Sequence, residues 1–155
     1  MKKVKAPGNN VVLVPVTDEI RSQVSALTIG DEQTQWVASI NESLLEADGD
    51  GDAKPRAILA DGRLVGFLMY DATSEPGTVQ LYRFMIDKAF QGLGYGKAAL
   101  HVLLAEIIAL GGIRSVSVCY DPQNLPASRL YAQAGFVELG LDEDDEMIAS
   151  LSIAR

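Results

Sequence analysis

The chain has 155 residues, the length of one typical domain, and we predict that residues 1–155 form a single domain. Its composition, 48% hydrophobic and 22% charged, is that of an ordinary globular protein. The formal net charge of −8 argues against a nucleic-acid partner, because binding to phosphate backbones needs a dense set of Lys and Arg side chains.

Cysteine content and hydropathy predict where the protein works. Cys119 is the only cysteine, which excludes an internal disulfide and a CxxC metal site and fits a reducing cytoplasm. Near the amino end, Pro7 and Gly8 interrupt the apolar core that a signal peptide needs. The most apolar segment, 101–112, contains Glu106 and is too short to cross a membrane. We therefore expect a cytoplasmic protein with no membrane partner.

The predicted elements alternate between strands and helices. Thr17 precedes Asp18 and Glu19, which favours a helix start, and Asp61-Gly62 between two apolar runs predicts a hairpin. In chain order we predict a strand 10–17, helices from 18 to about 29 and over 32–47, strands 56–60, 63–72 and 78–87, a helix ending near 110, a strand 113–121, a helix 125–135, and strands 135–140 and 146–154. Meander strands joined to two βα crossovers predict an α/β fold with a mixed sheet and helices on both faces.

Three glycines, Gly92, Gly94 and Gly96, stand between a predicted strand and a predicted helix. The segment lacks the first glycine and the hydroxyl residue of a Walker loop, and it has no acidic residue about 20 positions on, as a dinucleotide fingerprint needs. It fits Gln-x-x-Gly-x-Gly starting at Gln91, where unpaired N–H groups at a helix start favour an anion. A tight turn without a ligand is the alternative interpretation of this pattern.

A second motif follows the next predicted strand. The segment NLPASRLYAQAGF, residues 124–136, matches Asn-x-x-Ala-x-x-Leu-Tyr-x-x-x-Gly-Phe at every fixed position. With both motifs in this order, the chain from about residue 55 onward resembles the GNAT superfamily of acyl-CoA-dependent N-acetyltransferases. Within that superfamily, LYRFMIDKAFQGLGYGKAAL and WVASINESL are most similar to bacterial spermine/spermidine-type acetyltransferases.

The resemblance implies a GNAT fold and acetyl-CoA as co-substrate. In that fold about seven strands form a mixed sheet whose fourth and fifth strands splay apart to admit the pantetheine arm. Backbone groups of three strand residues would pair with the arm, although a buried strand end would have the same sequence: Phe84, Met85 and Ile86. Asn124 would hydrogen-bond the arm, with a plain helix cap as the alternative. The residues implied to hold the pyrophosphate are Gln91, Gly92, Gly94, Gly96 and Lys97.

Tyr131 is the predicted catalytic residue. Acyl transfer expels the CoA thiolate, and a phenol with an ordinary pKa near 10 is protonated at neutral pH and can donate a proton to it. Core packing is the alternative role for this tyrosine. A backbone N–H group in residues 84–86 is implied to meet the developing oxyanion. No residue is marked out as the base, and no metal is needed.

We predict transfer of an acetyl group to a small-molecule primary amine, a polyamine such as spermidine or spermine being the first candidate. A protein N-terminus, an antibiotic or an amino acid is an alternative acceptor, and a non-catalytic CoA-binding regulatory module is an alternative of another class. Dimers are common in the superfamily, so a homodimer is a further expectation.

Two features suggest a cationic acceptor: the acidic turn LDEDDEM, residues 141–147, and Trp36, whose ring would attract an ammonium group. A solvated hairpin tip and a core anchor are the corresponding alternatives. Ile40 replaces an Asn of polyamine-type relatives, which leaves the acceptor open. The segment DGDGD, 48–52, lacks the later Gly and Glu of a calcium loop, and Cys119 is expected to be a small buried hydrophobe.

Overall fold

A computed structural model of the chain describes residues 10–26 and 53–153. Its elements are β1 (Val11–Pro15), α1 (Asp18–Ser25), β2 (Ala53–Ala60), β3 (Arg63–Asp71), β4 (Thr78–Ile86), a short 3-10 helix (Lys88–Phe90), α2 (Tyr95–Leu110), β5 (Ser115–Tyr120), α3 (Leu125–Gln133), β6 (Val137–Leu141) and β7 (Met147–Ser152). The predicted helix 32–47 lies outside the described residues. The other predicted elements are present, with ends that differ by a few residues.

The seven strands of the described residues form one mixed sheet in the order β1-β2-β3-β4-β5-β7-β6. Only β4 and β5 are parallel neighbours, and every other neighbouring pair is antiparallel. The β2–β3 hairpin turns at Asp61 and Gly62, whose φ angles of 53° and 80° are those of a tight two-residue turn. The predicted hairpin and the predicted mixed sheet are therefore confirmed.

Helices cover both faces of the sheet. Side chains alternate between the two faces along each strand, so each face presents apolar side chains on which a helix can pack. On one face Phe67 and Met69 pack with Val24 of α1. On the other face Leu68 and Tyr70 pack in the larger cluster. The buried side chains that α2 adds to this larger cluster are Ala99, Leu100, Leu103 and Ile107, and α3 adds Tyr131.

The sheet opens between β4 and β5. The two strands are paired only from Thr78 to Leu81, opposite Ser115 to Val118, although β4 continues to Ile86. Directly after this pairing ends, β4 contains an extra residue, Tyr82. Such a β-bulge bends its strand and increases the local twist. The bulge thus accounts for the parting of β4 from β5, and the predicted splay of the central strands is confirmed.

The turn that leads into β4 is organised by Asp71, the one charged side chain that the described residues bury. Its carboxylate accepts hydrogen bonds from the backbone N–H groups of Thr73 and Ser74 at 2.8 and 2.9 Å. The Tyr82 hydroxyl donates to it at 3.2 Å, which ties the bulge to the turn. Burial raises the pKa of Asp71, but hydrogen bonds from Ser74, Thr73 and Tyr82 outweigh it and lower that pKa to about 2.

Candidate active site

The half of β4 that lies beyond the bulge has one edge without a strand partner. Phe84, Met85 and Ile86 pair with β3, and no described strand pairs with their other edge. Phe84 and Ile86 turn their side chains to the α2 face and Met85 turns to the α1 face. The backbone therefore borders the gap directly, and its N–H and C=O groups can pair with an extended ligand as a strand would.

The glycine loop leads from β4 to α2 and leaves its backbone donors without partners. Gly92 and Gly94 have φ angles of 78° and 89°, in the left-handed region that only glycine adopts readily. The first N–H group of α2 with a helical acceptor is that of Ala98, which donates to the Gly94 carbonyl at 3.1 Å. Among the described residues, none of the N–H groups from 92 to 97 has a backbone acceptor. Together with the helix dipole, they form an anion site.

The side chain of Gln91 holds this loop against β4. Its amide group donates a hydrogen bond to the Ile86 carbonyl at 2.9 Å. The contact joins the last residue of β4 to the start of the glycine loop, so that the open strand edge and the bare N–H groups keep a fixed relative position. Gln91 therefore has a structural reason to stand in the motif besides any contact with a ligand.

Gly96 differs from the other glycines of the loop, because its backbone lies inside α2 and has no positive φ angle. A Cβ atom built on it would lie 3.7 Å from Cγ1 of Ile86 and 4.0 Å from Cδ2 of Leu130, which are ordinary contacts. Neither conformation nor packing explains a glycine in a helix, where it costs about 1 kcal/mol relative to alanine. Ile86 and Leu130 border the cleft, so this methyl group would occupy space at the cleft wall.

One cleft of about 460 Å³ is lined by all ten residues that the sequence predicts to bind the cofactor or to act in catalysis. The ten residues are Phe84, Met85, Ile86, Gln91, Gly92, Gly94, Gly96, Lys97, Asn124 and Tyr131. They come from the end of β4, the glycine loop, the first turn of α2, the N-cap of α3 and the second half of α3. Their individual contacts with a ligand stay predictions, but their convergence makes this cleft the candidate site.

Tyr131 lies on the inner face of α3 and is only 5% exposed. Its ring stacks on that of Tyr120 with centroids 5.4 Å apart and meets Phe136 edge-on at 5.3 Å. Burial raises the pKa of its hydroxyl far above the usual value, and Tyr120 adds to this effect. The phenol therefore stays protonated at physiological pH and can act there as a proton donor. The core-packing role and the predicted catalytic role are both compatible with this position.

Asn124 and Lys97 lie at the amino ends of two helices, α3 and α2. Asn124 is the N-cap of α3, where its side-chain oxygen accepts a hydrogen bond from the N–H group of Ala127 at 3.3 Å. Asn124 therefore caps the helix through its side-chain oxygen, and its side-chain nitrogen is left for a ligand in the cleft. Lys97 is an exposed residue in the first turn of α2 that lines the same cleft.

A second, smaller cavity of about 100 Å³ adjoins the cleft. Four residues line both spaces, namely Phe84, Asn124, Ala127 and Tyr131. The smaller cavity lies between the parted strands, and its charged lining residues are Arg83, Asp121 and Glu146. Tyr131 thus stands between a space that borders bare N–H donors and a space that borders two carboxylates.

The acidic turn between β6 and β7 is folded onto its own backbone. The carboxylate of Asp142 accepts hydrogen bonds from the N–H groups of Asp144 and Glu146 at 2.8 and 2.9 Å, and its own N–H group donates to the Glu146 carbonyl at 2.8 Å. Glu146 is the one acid of this turn that lines the smaller cavity. Of the acids in this turn, Glu146 is therefore the one for which the predicted role on the acceptor side stays a prediction.

The expectation that Cys119 is a buried hydrophobe was wrong. Val116, Val118 and Tyr120 of β5 occupy the buried face, so the residue between the last two points to the opposite face and is exposed. There it lines the smaller cavity. Desolvation raises the pKa of its thiol, and the nearby Asp142 and Glu146 carboxylates add to the shift. Strand alternation was the signal that could have shown this orientation.

Several predicted features fall outside the described residues: Trp36, Ile40 and the segment 48–52. Within residues 10–26 and 53–153, no cluster of His, Cys, Asp or Glu side chains is arranged to hold a metal ion. In the same part of the chain, no helix combines the length and the apolar character that crossing a membrane requires.

Comparison with known proteins is consistent with this geometry. Residues 19–136 match the model of the acetyltransferase (GNAT) family. The chain is 32% identical over 145 residues to a probable spermine N(1)-acetyltransferase of Bacillus subtilis subsp. natto, and 31% identical to a spermine/spermidine N(1)-acetyltransferase of Bacillus subtilis, with 88% of this chain and 95% of each relative covered. A structure of Mycobacterium smegmatis RimJ in complex with CoA-disulfide is similar in fold, with a TM-score of 0.75, 19% identity, and 96% of this chain and 90% of that one covered.

Proposed function

Because the chain belongs to the acetyltransferase (GNAT) family, we propose that it acetylates a primary amino group of a polyamine such as spermidine or spermine. The chain is an acyl-CoA-dependent N-acetyltransferase with acetyl-CoA as its co-substrate. The observation that carries the proposal is the convergence of ten predicted site residues on one cleft that meets an acid-lined cavity at Tyr131.

The residues around the cleft fit the chemical parts of acetyl-CoA. The diphosphate would lie on the bare N–H groups of residues 92–97, where Gly96 leaves room that a side chain would take. The amide groups of the pantetheine arm would pair with the open edge of Phe84, Met85 and Ile86, and Asn124 would bond the arm from the opposite wall. Acetyl-CoA then supplies the thioester carbon that the amine attacks.

Tyr131 would hold the proton that the reaction needs at sulfur. Its hydroxyl remains protonated because burial raises its pKa, so it can donate to the thiolate as the C–S bond breaks. A backbone N–H group of the open β4 edge would stabilise the negative charge on the thioester oxygen. Phe84 of this open edge and Tyr131 both line the smaller cavity.

The acceptor side favours a cation. The smaller cavity is lined by the carboxylates of Asp121 and Glu146 and by a single cationic side chain, that of Arg83. Both Bacillus relatives are named for acetylation of spermine, which is a polycationic amine. Charge complementarity and these names together support a polyamine ahead of an amino acid, whose carboxylate the acids would repel.

A transfer experiment tests the proposal. The purified chain would be incubated with acetyl-labelled acetyl-CoA and a matched panel of spermidine, spermine, an aminoglycoside, a free amino acid and an N-terminal peptide. We expect label to appear chiefly on the polyamines. Preferential labelling of another acceptor would overturn the polyamine assignment. Cofactor binding without transfer to any amine would instead favour a non-catalytic CoA-binding module.

A further inference from the structure

The smaller cavity is lined by a carboxylate that no sequence motif marks, that of Glu146. Glu146 reaches it from the residue just before β7, and its side chain is partly buried there. The other turn acids are placed differently. Asp142 is occupied by the backbone of the turn, and Glu143, Asp144 and Asp145 are exposed and do not line the cavity.

Asp121 is the other carboxylate of this cavity. One of its oxygens accepts a hydrogen bond from the backbone N–H group of Gln123 at 2.8 Å. That oxygen is therefore already paired within the fold. The Glu146 carboxylate accepts no hydrogen bond from any described residue, so its oxygens are available to a ligand.

A second observation marks the same cavity as a ligand site. Tyr131 is more than nine-tenths buried, and no hydrogen bond joins its hydroxyl to another described residue. The described residues contain no fully buried side-chain nitrogen or oxygen atom without a hydrogen-bond partner, so this hydroxyl is open to the spaces that the tyrosine lines, the cleft and the smaller cavity. A ligand in these spaces can therefore bond to it. Glu146 borders the smaller of the two.

We propose that Glu146 is the general base that removes a proton from the acceptor ammonium group before the amine attacks. The inference rests on the proposed function, because it requires an amine acceptor. The ammonium transfers one proton to the Glu146 carboxylate, which passes it to solvent. The nitrogen lone pair then forms the C–N bond, and the C–S bond breaks with its electron pair moving to sulfur. Tyr131 protonates that sulfur and is reprotonated by the second proton that the nitrogen loses.

The surroundings of Glu146 suit this role. The titratable or charged groups that face it are Tyr82 and Arg83 from β4, Cys119 and Tyr120 from β5, Asp121, Tyr131 from α3, and Asp142 and Asp144 from its own turn. Desolvation raises the pKa of its carboxyl, with further increases from Asp142, Asp144 and Asp121 and a partial reduction by Arg83. A raised pKa makes the carboxylate a better proton acceptor near neutral pH.

The test compares pH profiles of kcat/KM for the amine that the wild-type chain acetylates. Glu146→Gln is the test variant, and Glu143→Gln is the matched control because it changes an exposed acid of the same turn. We expect Glu146→Gln to lower kcat/KM about 100-fold near neutral pH, the lower range for general acid–base catalysis. The deficit should shrink about tenfold per pH unit as solvent deprotonates the amine, whose ordinary pKa is near 10.4. Glu146→Asp, which keeps a carboxylate, should retain part of the rate.

The outcomes separate this inference from the function on which it rests. Glu143→Gln should follow the wild-type profile, and calorimetry should show unchanged acetyl-CoA binding by Glu146→Gln, which would establish that this variant is folded. A Glu146→Gln profile equal to wild type, or a deficit that is constant at all pH values, would overturn the role as base. If wild-type protein acetylates no amine at all, the proposed function fails instead.

Discussion

The two halves of β4 show how one strand serves stability at one end and ligand binding at the other. The closed half, Thr78–Leu81, is paired with β5 along its whole length and with β3 at Gln80 and Leu81, and the turn before it is held by the buried carboxylate of Asp71. The open half, Arg83–Ile86, is paired on one edge, and the loop after it keeps its N–H groups bare. The unpaired backbone groups of the open half border the cleft, where a ligand can supply their hydrogen-bond partners.

Two glycines beside the open half also differ in whether the fold or the ligand requires them. A Cβ atom on Gly66 of β3 would lie 2.4 Å from the Met85 carbonyl oxygen, so this glycine is required by the approach of two strands. A Cβ atom on Gly96 would make only ordinary contacts with Ile86 and Leu130. The first glycine therefore serves the fold, and we expect the second to serve the ligand.

The largest expected effect concerns Tyr131, which borders the open half. Tyr131→Phe removes only the hydroxyl and keeps the stacked ring, so kcat should fall about 100-fold or more while acetyl-CoA affinity stays nearly unchanged. Steady-state kinetics and calorimetry measure the two quantities. Tyr120→Phe is the matched control, because its hydroxyl bonds to Glu138 at 2.8 Å and has no assigned chemical role. Unchanged turnover of Tyr131→Phe at several pH values would remove the predicted acid.

Gly66→Ala should cost the most stability. Because the added methyl group meets the backbone of β4, the two strands must move apart, and such overpacking costs about 2 to 3 kcal/mol in the free energy of unfolding. Urea unfolding would measure the loss. An unchanged midpoint would show that the strand pair is not held as tightly as this contact implies.

Asp71→Asn tests the closed half alone. The folded pKa of about 2 lies below the ordinary value of 3.8, so the carboxylate stabilises the fold above about pH 4, and its contribution is lost as pH falls towards 2. We expect the variant to lose about 2 kcal/mol at pH 7 and to approach wild-type stability only as the pH reaches about 2. Acetyl-CoA binding should not change. A stability difference that is independent of pH would contradict the assigned ionisation.

Gly96→Ala gives the smallest effect and the sharpest contrast with Gly66→Ala. Alanine is the better helix former, so stability should hold or rise by up to about 1 kcal/mol. CoA affinity should nevertheless fall about tenfold, equivalent to about 1.4 kcal/mol, because the methyl group narrows the diphosphate site. Unfolding and calorimetry on the same sample would separate these quantities. Equal affinity for both proteins would remove the ligand explanation of this glycine.

The order of elements and the ten cleft residues could be predicted because they depend on local spacing along the chain. The bulge at Tyr82 could not, since it exists only in the register between β3 and β4. The buried role of Asp71 depends on the same register, through its bond to Tyr82. The sequence does not distinguish Glu146 from the four other acids of its turn, and the fold shows that it is the one acid of that turn that lines the smaller cavity. Contacts between distant segments decided these features.

Calorimetry with two ligands tests the central claim most directly, namely that the bare N–H groups at the start of α2 bind the diphosphate of CoA. The folded wild-type chain should bind CoA in a single site. Pantetheine, which keeps the thiol arm but lacks the diphosphate and the 3′-phosphoadenosine joined to it, should bind at least about 100-fold more weakly, because charge-assisted hydrogen bonds contribute about 1.5 to 3 kcal/mol each. Equal affinity for the two ligands, or no binding of CoA, would contradict the account.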